Sequence, residues 1–518
     1  MTDRPLRLLF LLRNLYYLRN FEAPIRALAG RGHDIVVLAD PAKHLPPEVH
    51  ALIQALQRDL GPAISLLPAH GRQDFRQRVA DDIHTARDIL RYYTPPFRSA
   101  NRLRRRAASK ATPLARRLYD RSRYWDPARN AAADRRLALW DETLPVDRSI
   151  AAEIDAINPD LLVVAPLVDL RTDQIDWVRA ARAAAIPTVL AVASWDNLTS
   201  KSRIQAEIDR ALVWNDIQKR EAIDLHGVPE ASVVVTGAQL HDDWFDRKPS
   251  TGRDAFCAMH GFDPSRPILL YVGSSTAIST DEPAFVARWI AAIRGADDPH
   301  LAGANVLVRP HPMNFAGYGV LRQTAWEPVS VAPERGGLPV TEEAKALYFD
   351  TLFHSDVVVG LNTSALVEAS ILGKGSHTIR DPGHAGGQEQ TLHYHYLTAG
   401  RILHEAASLD DHVTMLAATL RQGESDGAAD AFVTEFIRPH GRDIAATPRF
   451  VEAVEAAAAI AVAPAPSANR LRRLLLDAFG LADHLAIAAL RRLRGRNRNP
   501  SAQAPQPAPA KRRAQDAK

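Results

Sequence analysis

The sequence predicts an α/β protein with two doubly wound parallel-sheet domains facing a cleft, a helical basic insertion in the first and a helical tail after the second. Three features carry that expectation. Short apolar runs rich in valine, isoleucine and leucine recur without polar alternation, as strands buried on both faces require. Segments of helical length separate them, which is the spacing of βαβ units. The runs form two series, divided at about 240–265 by a stretch where the pattern loosens.

The first series opens with a strand at 6–12, the loop "RNLYYLRNFE", a helix at about 22–31 and the strand in "HDIVVLAD". Residues 70–140 are helical and basic, with breaks at "TPP" and "ATP". Strand signals return in "DLLVVAP", "IPTVLAVAS", "RALVWN" and "SVVVTG". This gives a first Rossmann-like domain over 1–245, carrying a helical insertion at about 70–150. A second such domain, 262–425, takes in "PILLYVGSS", a helix at about 282–294, "NVLVRPHP", a helix near 341–353, "DVVVGLNTSALVEASILGKG", "SHTI" and "RILHEA". Residues 426–463 read as a helical C-terminal segment, 464–494 as an amphipathic basic helix, and the proline- and alanine-rich 495–518 as a disordered tail.

Composition narrows the classes. A chain of 518 residues exceeds one ordinary core, and 46% hydrophobic with 24% charged residues is the balance of a folded globular protein. The single cysteine, Cys257, excludes a disulfide framework or a cysteine metal cluster and suits a reducing compartment. None of the nineteen histidines falls in metal-ligand spacing. Arg13 interrupts the first apolar run too early for a signal peptide or a membrane span, so the expected location is cytoplasmic.

The net charge is only +4, yet residues 98–136 hold thirteen arginines and lysines against three aspartates. That patch and the arginine-bracketed terminal helix suit an anionic membrane face, which places the protein peripherally on the inner side of the cytoplasmic membrane. A basic patch also suits nucleic acid, a weaker reading for one confined to an insertion. The terminal helix has a second reading, packed on the protein itself.

Candidate chemistry concentrates where strands end. After Val357–Val359, the turn Asn362-Thr363-Ser364 leads into a helix closed by Gly373. Its first N–H groups suit a phosphate. Glu368 follows Ser364 by four residues and so lies one turn above it, in reach of a ribose whose diphosphate rests on the helix start. The same residues also suit a capped core helix. Gly273-Ser274-Ser275 ends one strand, where glycine permits close backbone approach and hydroxyls donate to phosphate. Arg309 and His311, stiffened by two prolines, end another. The loop "RDPGHAGGQEQTLHYHYL", with Gln388, could close over a bound sugar or glycerol unit. In the first domain Asp196, in "SWDNLTSKSR" with Asn197, is a candidate general base, and Asp169 a second; Asp196 equally suits a helix cap. Arg13, Asn14, Arg19 and Asn20 of the first loop suit acceptor or diphosphate contacts.

The tandem layout, "YVGSS", "RPHP" and "NTSALVEASILGKG" together resemble the GT-B superfamily of nucleotide-sugar glycosyltransferases, with the UDP-N-acetylglucosamine 2-epimerases and CDP-glycerol glycerophosphotransferases as related folds. The resemblance covers roughly residues 5–425 at the level of layout. It implies a donor nucleotide held by the second domain at Thr363, Ser364 and Glu368, with Gly273, Ser274 and Ser275 flanking the diphosphate and Arg309 and His311 near it. It further implies sugar transfer from a nucleotide diphosphate to a hydroxyl acceptor, saccharide or lipid-linked, in bacterial surface polysaccharide or glycolipid synthesis. Neither metal nor cofactor would then be needed beyond the nucleotide-sugar substrate. Where many relatives place a histidine or a glycine-rich turn after the first strand, this chain has Arg13-Asn14-Leu15-Tyr16. That departure keeps a CDP-glycerol-type phosphotransferase, an epimerase-like enzyme and a non-catalytic scaffold as alternatives.

Overall fold

The computed structural model describes residues 4–40, 45–122, 124–276, 278–279, 281–323, 328–333, 337–423, 427–462 and 470–496. Two parallel sheets organise it. The first joins β1 (Arg7–Leu12), β2 (Asp34–Ala39), β3 (Ile64–Pro68), β4 (Leu161–Ala165), β5 (Thr188–Ala191), β6 (Arg210–Val213) and β7 (Val233–Val235) in the order β3-β2-β1-β4-β5-β6-β7. The second joins β8 (Ile268–Val272), β9 (Asn305–Arg309), β10 (Val329–Val331), β11 (Val357–Gly360), β12 (Ser376–Ile379) and β13 (Leu403–Ala406) in the order β10-β9-β8-β11-β12-β13. Strand order therefore reverses between β1 and β4 in one sheet and between β8 and β11 in the other, and such switch points open the crevices that ligands use.

The central strands are apolar because both their faces are covered. Every residue of β4, β8 and β11 is buried, with separate hydrophobic clusters above and below each sheet. Sequence reading missed β3 and β10, and both are edge strands. In β3 only Ile64 is buried, so the apolar continuity that marks a central strand is absent. The first helix starts earlier than expected, at Leu18, because Leu18 and Phe21 are drawn fully into the core.

Among the described residues four α-helices between β3 and β4 form the insertion, Gln77–Arg91, Asn101–Lys110, Pro113–Ser122 and Pro127–Asp141, while the next, Arg148–Ile157, packs Ile150, Ile154 and Ile157 on the first sheet. The first three share a small core of Ala86, Ile89, Phe97, Leu103, Ala107 and Ala115. The segment after β13 does not stay with the second domain. Its Ala446–Ala457 helix returns to the first, where Phe450, Val451 and Val454 join Phe10, Phe21 and Leu28. Glu455 fixes that return, pairing with Arg31 at 2.7 Å and with the His33 ring at 3.0 Å.

The last described helix, Arg470–Arg496, docks one face on the insertion. Leu476 is buried with Val79 and Ile83, and Arg76 pairs with Asp477 at 2.6 Å. Leu471, Leu474, Leu475 and Phe479 stay exposed by 53–66%. The reading of this helix as packed on the protein holds for the face that carries Leu476 and Asp477. The expected disordered tail lies, from 497 on, outside the described residues. No helix among the described residues is long and apolar enough to cross a membrane.

Candidate active site

The switch point of the second sheet carries the turn singled out in the sequence. Thr363 is the N-cap of the Ser364–Ile371 helix, with extended backbone (φ −150°, ψ 153°), and no side chain caps it. The Leu366 N–H turns back to the Thr363 carbonyl at 3.1 Å, which leaves the Ser364 and Ala365 N–H groups to a ligand, and the helix dipole adds partial positive charge there. Thr363, Ser364 and Glu368 line a cavity of about 370 Å³, and Ser364 and Glu368 also line an adjoining one of about 450 Å³. Both lie between the two domains.

Glu368 sits in a cluster that sequence reading only half saw. The Tyr348 hydroxyl, from the Glu342–His354 helix, donates to the Glu368 carboxylate. The Arg309 guanidinium lies 4.4 Å above the Tyr348 ring. Burial pushes the Glu368 carboxyl up to about 7, while the Tyr348 hydroxyl and the charges of Arg19 and Arg309 oppose that rise. Among the described residues neither arginine is hydrogen-bonded to or ion-paired with a protein group, so their donors face the cavity.

The β8 and β9 loops close against each other beside this cluster. A Cβ on Gly273 would stand 2.8 Å from the His311 backbone nitrogen and 3.2 Å from the Arg309 carbonyl, so only glycine allows the approach. The Ser274 N–H donates to both oxygens of Glu282, at 3.0 and 2.8 Å, which anchors the loop from beneath. Ser274 is therefore buried, and Ser275 presents its side chain to the cleft instead. His311 accepts the Met313 N–H on Nδ1 at 3.0 Å, which leaves the ring proton on Nε2. Burial and then the Arg19 charge lower this imidazole to about 4, so it faces the cleft as a neutral donor.

The first domain contributes the turn after β5. Burial alone would raise Asp196, yet Lys201 and the hydroxyls of Ser194 and Ser200, each 2.7 Å from one carboxylate oxygen, hold it at about 2. Lys201 in turn donates to the Tyr17 hydroxyl at 3.0 Å. Asn20 donates to the Ala193 carbonyl at 2.8 Å, and Asn197 accepts the Ala193 N–H at 3.2 Å. Both line the 370 Å³ cavity while bracing its floor. His393 spans the domains, 3.3 Å from Thr199 Oγ1 through Nδ1 and 3.3 Å from Asn362 Nδ2 through Nε2.

A third and larger cavity, about 720 Å³, shares Asp196, His311, Thr363 and Ser364 with the first and extends away from Glu368. Asn362 lines it with a buried Oδ1 that has no hydrogen-bond partner.

The fold thus brings together Gly273, Ser275, Arg309, His311, Asn362, Thr363, Ser364 and Glu368 with Asn20, Asp196 and Asn197. Other candidates stand elsewhere. Asp169 is 3.2 Å from Arg13, Arg13 also reaches Asp40 at 3.4 Å, and neither Asp169 nor Arg13 lines the three cleft cavities. Asn14 caps a short helical turn through the Tyr16 N–H. Gln388 is fully buried and donates to the Leu361 and Ile379 carbonyls and to Thr378, so it pins its loop to β11 and β12. Sequence reading missed Tyr348 and Trp195. Nothing near Tyr348 marks it, because its partner Glu368 is twenty residues on and meets it through packing.

No family model matches the chain, and no curated protein matches it. Solved structures do. The UDP-GlcNAc 2-epimerase of Neisseria meningitidis, bound to UDP-GlcNAc, superposes with a TM-score of 0.51 at 10% identity, covering 87% of this chain and all of that one. A glycosyltransferase from Rickettsia africae gives 0.49 at 9% identity over 88% of this chain and 99% of the other. The UDP-GlcNAc 2-epimerase of Methanocaldococcus jannaschii gives 0.48 at 11% identity over 87% and 99%. At such identities the likeness is one of fold. The chain has the two-domain GT-B α/β fold, two parallel sheets of seven and six strands with their switch points toward one cleft.

Proposed function

We propose that the protein is a nucleotide-sugar glycosyltransferase that moves a sugar from a nucleotide diphosphate to a hydroxyl acceptor. The uncapped helix at Thr363 and Ser364, with Glu368 one turn on and Arg309 beside it, carries this reading. The diphosphate rests on the helix start, the ribose hydroxyls donate to Glu368, and Arg309 and the Nε2–H of His311 donate to phosphate oxygens. The Neisseria meningitidis enzyme of the same fold, described with UDP-GlcNAc bound, supports a nucleotide-sugar ligand.

In the transfer an acceptor oxygen bonds to the anomeric carbon as the carbon–oxygen bond to the diphosphate breaks. The diphosphate leaves with the electron pair, and its growing charge meets the helix start and Arg309. Asp196 takes the acceptor proton. A carboxylate held at about 2 is a weak base, so it accepts late, once bonding to the sugar has made that proton strongly acidic. No cofactor takes part in this scheme. The exposed Leu471, Leu474, Leu475 and Phe479, flanked by Arg470 and Arg473, would hold the protein on an anionic membrane face, near lipid-linked acceptors of surface polysaccharide synthesis.

The epimerase reading draws on the fold likeness. Against it, Asp196 is the only carboxylate among the described residues lining the 720 Å³ cavity, and moving a proton on and off a sugar carbon calls for more. The deciding experiment is thermal stabilisation by UDP, GDP, CDP, ADP and their sugar or glycerol conjugates, repeated on Glu368→Ala. Stabilisation by one nucleotide sugar, lost in the variant, supports the reading. Preference for CDP-glycerol replaces it with the phosphotransferase, and no shift from any nucleotide replaces it with a scaffold.

A further inference from the structure

The basic insertion is more than a surface patch, because one face of its Asn101–Lys110 helix forms a wall of the 720 Å³ cavity. Arg102, Arg105, Arg106 and Ser109 fall at i, i+3, i+4 and i+7 and all line it together with the edge of the buried Leu103, while Ala107 faces the core. Like charges at these spacings destabilise a helix, so nothing in helix formation accounts for the three arginines.

Arg102 explains how the wall is held. It donates to the Ile278 carbonyl at 2.6 Å and the Thr276 carbonyl at 2.8 Å, tying the insertion to the β8 loop across the cleft. Arg105 and Arg106 are different. Among the described residues neither side chain has a carboxylate or hydrogen-bond partner, and one is exposed and the other half-buried. Opposite them stand Ser275, Thr276 and the Gly386–Gly387 backbone. Two unpaired guanidiniums facing hydroxyls in a cavity of this size suit a phosphate or diphosphate group.

The cavity lies on the far side of Thr363 and Ser364 from Glu368, Tyr348 and Arg309. A nucleotide sugar seated with its diphosphate on the helix start and its ribose at Glu368 keeps the nucleoside away from Arg105 and turns only its transferred sugar, not its diphosphate, toward the 720 Å³ cavity. We infer that Arg105 and Arg106 hold a second anionic group, the phosphate or diphosphate of the acceptor, at the same time as the donor is bound. This rests on the donor reading of the neighbouring cavity. The group belongs either to a lipid-linked diphosphate or to a soluble sugar phosphate, and the cavity chemistry is shared by both.

The test compares the full-length protein with Arg105→Ala/Arg106→Ala, leaving Arg102 in place because it ties the loops. Alanine keeps the helix, and circular dichroism checks that it does. Calorimetric titrations use inorganic pyrophosphate, farnesyl diphosphate and glucose 1-phosphate, each with and without the nucleotide that stabilises the protein best. The expected result is pyrophosphate binding alongside nucleotide, weakened roughly tenfold or more in the double variant as two charge-assisted contacts are lost, with nucleotide affinity unchanged. Farnesyl diphosphate binding more tightly than glucose 1-phosphate names the lipid-linked source, and the reverse order names the soluble one. Pyrophosphate that competes with nucleotide, or nucleotide affinity that falls with it in the double variant, assigns the arginines to the donor and overturns the inference. If no nucleotide binds but pyrophosphate binding still depends on Arg105 and Arg106, the anion subsite stands and the donor reading fails.

Discussion

The Trp195 indole N–H donates to the Ser364 hydroxyl at 3.3 Å, so the first residue of the donor helix is held from the opposite domain. The same tryptophan stands edge-on to His393, with ring centroids 4.9 Å apart. Trp195→Phe keeps an aromatic ring and removes the donor. Melting temperature should fall by about 2–4 °C, the effect of one neutral hydrogen bond worth about 1 kcal/mol in a chain of this kind.

Glu368 should give the site a pH dependence. Its carboxyl is raised from 4.5 to about 7 in the fold, so the folded state binds the extra proton between those values. Stability then falls as pH rises through that window, and Glu368→Gln, which cannot ionise, should gain on the parent by about 2–3 kcal/mol between pH 5 and pH 8. Nucleotide binding should move the other way. The ionised carboxylate accepts ribose hydroxyls more strongly, so affinity rises with pH in the parent and stays level in the variant. Melting curves and titrations at three pH values separate the two effects.

Asp196 has the opposite sign. Held at about 2 against an unfolded value of 3.8, it contributes stability that is present above about pH 4 and lost as pH falls toward 2. Asp196→Asn should therefore be less stable near neutrality by about 2 kcal/mol, with the gap closing in acid. Denaturant titrations at pH 7 and pH 3 measure it. A gap of the same size at both would show that the loss comes from packing and not from the ionised group.

Gly273→Ala tests the closeness of the two loops. The new Cβ meets backbone on two sides, at 2.8 and 3.2 Å, and backbone does not step aside as a flexible side chain would. We expect about 1–3 kcal/mol of destabilisation and weaker nucleotide binding, since Ser275 and His311 would both shift. Unchanged melting and affinity would mean that the loops relax freely.

The exposed face of the Arg470–Arg496 helix predicts membrane affinity. Leu474→Glu/Phe479→Glu should abolish co-sedimentation with phosphatidylglycerol vesicles and leave nucleotide stabilisation intact, because neither residue lies at the cleft. Equal sedimentation of parent and variant would refute the membrane assignment for this face.

The order of residues along the chain dictates the sheets and the turns at their ends. Val357–Val359 and "ILLYV" are apolar without alternation because strands covered on both faces need it, so both series of strands are legible in the residues alone. The Ser364–Glu368 spacing is local as well, since a helix alone puts residues four apart on one side. Edge strands β3 and β10 leave weaker traces, having one face or less to bury. Which polar residues at those ends meet is a matter of packing. Asp196 and Asp169 look alike in the sequence, yet one faces the cleft and the other pairs with Arg13. Tyr348 reaches Glu368, and Arg105 and Arg106 reach the cleft from an insertion more than 160 residues away from the loop they face. Such contacts join positions far apart in the chain, and their geometry is set by how two domains and an insertion pack, which no local spacing encodes.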